Sequence, residues 1–350
     1  MVRKVCAYIV IVLFFAACHH RPATLFDLLP PDRTGIRFEN QVTDTDTLSI
    51  LDYLYYYNGG GVAIADFDRD GLPDIYFVSN QGRSALYHNK GDLRFEDITA
   101  KAGVEGRGNW KTGVTIADVN NDGWPDIYLS EVGGYKNFHG RNELFINNHN
   151  GTFTERAHEY GLDIEGFNTQ AVFFDYDHDG DEDVFIVNHS VHSNESYSDS
   201  SMRRVSNAFS GDKLLRNDGD KFVEVTQQAG IYSSIIGYGL NVMVGDMNND
   251  GWDDIYVSND FHENDYYYIN NRNGSFTEVN QQAFGHESRF SMGSDIADIN
   301  NDGWPDLITL DMLPAQEALL KTSAGDDPLS IFQFKLNMAI TINTPAIVSS

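Results

Sequence analysis

A nine-residue acidic pattern occurs five times along this 350-residue chain, and an internal repeat on that scale restricts the fold more than any single motif could. Aspartate, Asp or Asn, and aspartate alternate with spacer residues and are followed at once by glycine. The copies start at Asp66, Asp118, Asp175, Asp246 and Asp298, so successive starts lie 52, 57, 71 and 52 residues apart. Each copy sits between two apolar runs of strand length, for example Gly61 to Ala65 before the first and Ile75 to Ser79 after it. Between 22 and 28 residues ahead of each loop, a phenylalanine is followed within two residues by glutamate, at Phe38, Phe95, Phe153, Phe222 and Phe276. Before four of these come apolar stretches ending in asparagine, namely Leu86 to Asn89, Leu144 to Asn147, Leu214 to Asn217 and Tyr267 to Asn270, close to glycine-containing hairpin signals.

One unit therefore reads as four short strands in about 50 residues, the size of one blade of a β-propeller. The predicted fold class is all-β, a propeller of four-stranded blades over residues 35–311, with no sustained helical periodicity. The longest interval holds a Ser- and Asn-rich segment, Ser190 to Asp212, expected to be a surface loop.

The first loop places carboxylates at positions 1, 3, 5 and 9, as Asp66, Asp68, Asp70 and Asp74. The others repeat it with Asp118, Asn120, Asp122 and Asp126; Asp175, Asp177, Asp179 and Asp183; Asp246, Asn248, Asp250 and Asp254; and Asp298, Asn300, Asp302 and Asp306. Position 6 is glycine in every copy, and position 7 offers a backbone carbonyl from Leu72, Trp124, Asp181, Trp252 or Trp304. Hard oxygens converging at this spacing suit Ca2+, which takes six to eight of them, better than Mg2+, which demands a compact octahedron and retains waters. An EF-hand is excluded because position 12 is Phe77, Leu129, Ile186, Val257 or Thr309 instead of glutamate. One calcium per loop is expected, with metal binding coupled to folding because the bare loops crowd like charges.

The balance of 52 acidic to 24 basic residues gives a formal charge of -28, which disfavours nucleic acid and anionic lipid as partners. Residues 1–17 read as a lipoprotein-type signal peptide: Arg3 and Lys4 lead, Ala7 to Phe15 are apolar, and Ala16 and Ala17 precede Cys18. Cys18 is the expected lipidation site, residues 18–34 the tether behind it, and the bacterial envelope, at the outer membrane or cell surface, the location. The lipid would be the chain's one link to a membrane. With Cys6 removed, no internal disulfide can form.

Across Gly35 to Asp311 the chain resembles the FG-GAP and VCBS repeat family, whose calcium-bearing blades also build the integrin α head. Tyr57-Asn58-Gly59-Gly60-Gly61 and Asp311-Met312-Leu313-Pro314 look like the large bacterial envelope proteins of that family, which often carry an ASPIC/UnbV-type domain. Those relatives usually close a seven-bladed ring. Five units are visible here, so the resemblance implies an incomplete ring. Residues 312–350 form a non-repeat tail, expected to be truncated: Ile331 to Met338 still look like an inter-blade stretch, whereas Ala339 to Ser350 do not.

Other residue groups have plainer readings. Trp124, Trp252 and Trp304 suit packing between blades better than a sugar-stacking row. Tyr53, Tyr55, Tyr56 and Tyr57 read as alternating strand residues, with a ligand surface as the minor alternative. His189, His192 and Glu195 have zinc-ligand types but no helix to fix them, and a solvated loop is the simpler reading. No nucleophile elbow, zinc-protease motif or phosphate loop is present. The expected function is a calcium-binding, envelope-anchored binding or adhesion module for protein or glycan, and not an enzyme; the alternative is an accessory or catalytic component of glycan metabolism.

Overall fold

A computed structural model describes residues 25–191, 200–219, 221–261, 263–288 and 290–312. The signal segment, Cys18, His192, Glu195 and the tail beyond Met312 lie outside the described residues.

Four antiparallel four-stranded sheets follow one another along the chain. The first contains β1 (Val62–Ala65), β2 (Asp74–Phe77), β3 (Ala85–Asn89) and β4 (Phe95–Asp97). The second runs β5 (Lys111–Ala117), β6 (Asp126–Glu131), β9 (Glu143–Asn147) and β10 (Phe153–Glu155), with a small hairpin, β7 (Gly133–Tyr135) and β8 (Phe138–His139), inserted after β6. The third is β11 (Asn168–Phe174), β12 (Asp183–Asn188), β13 (Lys213–Asn217) and β14 (Phe222–Glu224). The fourth is β15 (Gly239–Gly245), β16 (Asp254–Asn259), β17 (Tyr266–Asn270) and β18 (Phe276–Glu278). A two-stranded sheet, β19 (Ser291–Ala297) and β20 (Asp306–Asp311), starts a fifth unit.

The first strand of each unit packs on the first strand of the next, in the order β1, β5, β11, β15, β19, which makes the array an arc of propeller blades. Among the described residues no comparable packing joins β19 or β20 back to the first blade. Val62 and Ile64 of β1 are therefore exposed at one end, as are Ile308 and Leu310 of β20 at the other.

Side chains alternate across a strand, so a blade sandwiched between two others must be apolar on both faces. In β12, Val184 and Ile186 face the second blade with Tyr128 and Leu144, whereas Phe185 and Val187 face the fourth with Ile255 and Val257. The same sharing joins the first two blades through Tyr76, Leu86, Ile127 and Phe145. This explains why second and third strands are continuous apolar runs.

Phe95, Phe153, Phe222 and Phe276 each begin the outermost strand of a blade. In the first three blades a short turn or helix then ends in a left-handed glycine that packs on the outer strand of the following blade. An added Cβ on Gly103, Gly161 or Gly230 would meet the carbonyl oxygen of Phe153, Phe222 or Phe276 at 3.7, 3.1 and 2.8 Å. Gly35, after the helix Pro31–Thr34, stands in the same relation to Phe95, at 2.4 Å. Packed structure thus begins ahead of residue 35, and Phe38 is not the equivalent of the other four phenylalanines. It lies in no strand and stacks on Phe77 with centroids 5.0 Å apart.

The excursion between Gly35 and β1 carries the tyrosines. They occupy turns, which corrects the strand reading; Tyr53, Tyr55 and Tyr56 are buried with Trp110, Phe138, Phe167 and Tyr238, and Tyr57 is exposed. Tyr53 and Tyr55 also border a cavity of about 430 Å³ lined by residues of all five first strands, among them Val62, Thr112, Thr169, Leu240 and Met292, which marks the arc's axis. His189 belongs to this plug and not to a solvated loop: it is fully buried and its Nε2 lies 2.9 Å from Tyr53 Oη. Burial pushes its pKa down to about 3. The described part of the long insert also docks, with Arg203 of the turn Ser200–Arg204 in a buried ion pair with Glu263.

Candidate metal centres

Every acidic loop connects the first strand of its blade to the second, which brings all five to one face of the arc. Their internal geometry is the same. The position-1 carboxylate accepts the backbone N–H groups of positions 5 and 6 at 2.7 to 3.1 Å in all five copies. The position-5 carboxylate accepts the N–H of position 7, Leu72, Trp124, Asp181, Trp252 or Trp304, at 2.8 to 3.0 Å. Closing so tight a turn requires left-handed backbone at position 6, where glycine holds φ between 83° and 98°.

Position 9 is built differently. Asp74, Asp126, Asp183 and Asp254 open the second strand and are almost fully buried, at 0 to 1% exposure. One oxygen of each accepts the N–H of Asn89, Asn147, Asn217 or Asn270 at the end of the third strand, at 2.7 to 2.9 Å. In the first three, the other accepts the loop's own position-2 N–H. Asp306 accepts the Ile299 N–H at 3.0 Å. This residue therefore ties loop to blade as well as offering charge.

The carboxylates converge. Oxygens of Asp66, Asp68 and Asp70 lie within 4.8 Å of one another, as do those of Asp175, Asp177 and Asp183. In the loops with Asn at position 3, Asn120 Oδ1 and Asn300 Oδ1 accept the position-5 N–H at 3.2 and 2.9 Å. Asp177 Oδ1 and Asn248 Oδ1 are buried and accept no hydrogen bond, which suits an oxygen directed at a cation. Burial, reinforced by neighbouring loop carboxylates, pushes the pKa of Asp126 and Asp183 up to about 7 and that of Asp254 up to about 6. A hard divalent cation is the chemistry that would keep such groups ionised, and the donor set fits calcium.

Basic partners border these loops that the sequence pattern does not reveal. His88 Nδ1 lies 3.1 Å from Asp74 and 3.4 Å from Asp68, His149 Nε2 lies 2.9 Å from Asp122, and Arg272 lies 2.8 Å from Asp250. His149 and Arg272 each stand two residues after the asparagine that ends the third strand, Asn147 or Asn270, with their N–H donated to its Oδ1, whereas His88 directly precedes Asn89. The tryptophans pack against position 4 of the preceding loop where that side chain is long or aromatic: Trp252 stacks on His178 at 3.8 Å and Arg69 covers Trp124 at 5.3 Å, whereas Trp304, which meets the shorter Asn249 loop, is exposed.

An open arc of four-stranded blades, each entered through an acidic loop between its first two strands, defines a repeat protein of the β-propeller class. A family model described as FG-GAP-like repeat matches residues 66–129, 132–186 and 246–309, more than half of the chain, and the chain belongs to that family. It is 26% identical over 205 residues to cartilage acidic protein 1 of Homo sapiens, covering 58% of this chain and 28% of that one. To the Xenopus tropicalis protein of the same name it is 34% identical over 91 residues, covering 26% and 13%. The chain thus spans 28% of the length of the human relative and 13% of the Xenopus one. Among solved structures, the V. cholerae biofilm matrix protein Bap1 aligns at a TM-score of 0.38 and 15% identity, over 71% of this chain and 34% of that one. Rhamnogalacturonan lyase YesW aligns at 0.32 and 16%, over 67% and 43%.

Proposed function

We propose that the chain is a calcium-stabilised binding module of the bacterial envelope, one ion per loop, which holds a protein or glycan ligand without transforming it. The observation that supports this is one hydrogen-bonded loop geometry repeated at the same end of all five units, with carboxylate oxygens converging within 4.8 Å in the first and third. A second reading, a catalytic component of glycan metabolism, draws on Glu131 and Glu143. These buried carboxyls border a cavity of about 300 Å³; burial raises both pKa values, and Glu143 pushes that of Glu131 further, to about 8. Paired carboxyls are the equipment of glycoside hydrolysis, although these two share a hydrogen bond and so lie closer than the roughly 5 Å or more that such pairs keep. A polysaccharide array run beside hydrolysis assays on the same polymers separates the two: calcium-dependent retention without products is expected. Product release that Glu131→Gln abolishes would establish the second reading.

The envelope location rests on Cys18 and the apolar run before it. Diacylation buries many methylenes at about 0.8 kcal/mol each, enough to hold a soluble domain on a membrane. Cys18→Ser is expected to move the protein from the membrane to the soluble fraction; unaltered retention would rule out the lipid anchor.

A further inference from the structure

The acidic loops lie at one face of the arc, and the cavity of about 430 Å³ on its axis is lined by none of their residues. Four of the five first strands break register where they reach it. Pairing with the second strand slips between Lys111 and Val114 in β5, Asn168 and Gln170 in β11, Gly239 and Asn241 in β15, and Ser291 and Gly293 in β19. The residues released at these breaks, Thr112, Gly113, Thr169, Leu240 and Met292, all line the cavity. A bulge re-aims a side chain and frees backbone from the ladder, and here one repeated device turns four strands toward the same space.

The lining is uncharged. Among the described residues no Asp, Glu, Lys, Arg or His borders the cavity, although 22% of the chain is charged and its formal charge is -28. A charged ligand would be desolvated there with no counter-charge to meet it, and so acidic a fold repels anions besides. Polar capacity is nonetheless present. Gln170 Oε1 accepts Asn241 Nδ2 at 3.0 Å and the Val242 N–H at 3.3 Å, which leaves Gln170 Nε2 as a spare donor. The Asn58 side chain is exposed and has no hydrogen-bond partner among the described residues. Thr112 and Thr169 are held in place by Oγ1 donating to the Asn168 and Gly239 carbonyls of the next blade, at 2.8 and 3.0 Å, and each hydroxyl oxygen can still accept. Tyr53, Tyr55, Trp110, Leu240 and Met292 supply an apolar wall. The ligand that matches is neutral, rich in hydroxyls and apolar on one face, which describes a sugar ring, and the volume is that of a small-ligand site.

We propose that the axial cavity is the ligand site of this module and that its ligand is an uncharged saccharide. This rests on the binding-module reading above and narrows its ligand class. The cavity offers no carboxyl to serve as acid, base or nucleophile, so a glycan held there is retained and not cleaved.

Titration calorimetry on the calcium-loaded chain tests it, with neutral gluco-, manno-, galacto- and xylo-oligosaccharides set against oligogalacturonate of the same length. Saturable binding of at least one neutral series, and none of oligogalacturonate, is expected. Val62 lines the cavity yet is 59% exposed, so Val62→Trp adds bulk at the site without disturbing a packed core. It should weaken binding by about tenfold or more, because the added ring clashes with the ligand. Asn58→Ala, which removes one hydrogen-bonding group, should weaken it roughly threefold to tenfold. Val223→Trp, at another exposed strand position, should leave it unaltered. All three variants should melt within about 2 °C of the parent. Should Val62→Trp melt lower, Asn58→Ala decides alone. Affinity within about twofold of the parent in either cavity variant, or oligogalacturonate bound as tightly as any neutral sugar, overturns the inference and leaves the binding-module reading standing. If none of these sugars binds, the inference falls together with the glycan arm of that reading, and protein ligands remain.

Discussion

Stripping calcium with EDTA is expected to lower the melting temperature of the chain by more than about 15 °C in a single collective transition. Each ion that binds only the folded state contributes about 2.7 kcal/mol at a concentration one hundred times its dissociation constant. For a domain approaching 300 residues, one kcal/mol moves the midpoint by roughly 2 °C. Several saturated sites together therefore shift it far beyond the effect of most single substitutions. The bare loops add to the loss, since Asp66, Asp68 and Asp70 then face one another within 4.8 Å without a counter-ion. The transition should remain collective because adjacent blades share apolar clusters: Ile186 and Phe185 of one strand belong to two different interfaces. Calorimetry with and without chelator provides the measurement, and titration of the stripped protein should show close to one ion per loop. Asp68→Ala should remove one site and leave the rest. An unchanged melting curve after chelation would sink the calcium reading.

The parts legible in the sequence are those where one residue's neighbours lie close along the chain. Positions 1, 5 and 6 of a loop bond to one another within five residues, so Asp118, Asp122 and Gly123 announce their geometry by spacing alone. The apolar runs of β6, β12 and β16 are equally plain, because a strand packed on both faces has no polar positions to interrupt it. What the pattern hides is set by long-range contact. Tyr53 meets His189 across 136 residues and Tyr55 meets Asp260 across 205, and nothing local distinguishes these tyrosines from those of an ordinary strand. Phe38 fits the phenylalanine–glutamate motif and its spacing ahead of the loop, yet Gly35 fixes the register, since it makes the close backbone approach that Gly103, Gly161 and Gly230 make elsewhere.

Metal-free protein is expected to be more stable at pH 5 than at pH 8, and calcium to reverse that order. Asp126 and Asp183 have pKa values near 7 in the fold and Asp254 near 6, raised first by burial and then by their loop neighbours. In the unfolded chain these groups titrate near 3.9. A carboxyl whose folded pKa is raised contributes its full stability below the unfolded value and loses it as pH rises through the folded value. For these residues the loss spans roughly pH 4 to 7, and the three together amount to several kcal/mol, of the order of 5, between pH 5 and 8. Glu131 and Asp212, both raised to about 8 by burial, act in the same sense. His189 opposes them, since a buried imidazole held neutral stabilises the fold more as pH rises towards 6.5, by about 2 kcal/mol over this range. Calcium competes with protons for the loop carboxylates, so its affinity, and the increment it adds to the melting temperature, grow with pH. Glu131, Asp212 and His189 do not belong to the loops, which is why the increment and not the absolute midpoint isolates the loop aspartates. Melting curves at both pH values, with calcium and with EDTA, test this. A calcium increment equal at pH 5 and pH 8 would show that protons and calcium do not compete for these aspartates.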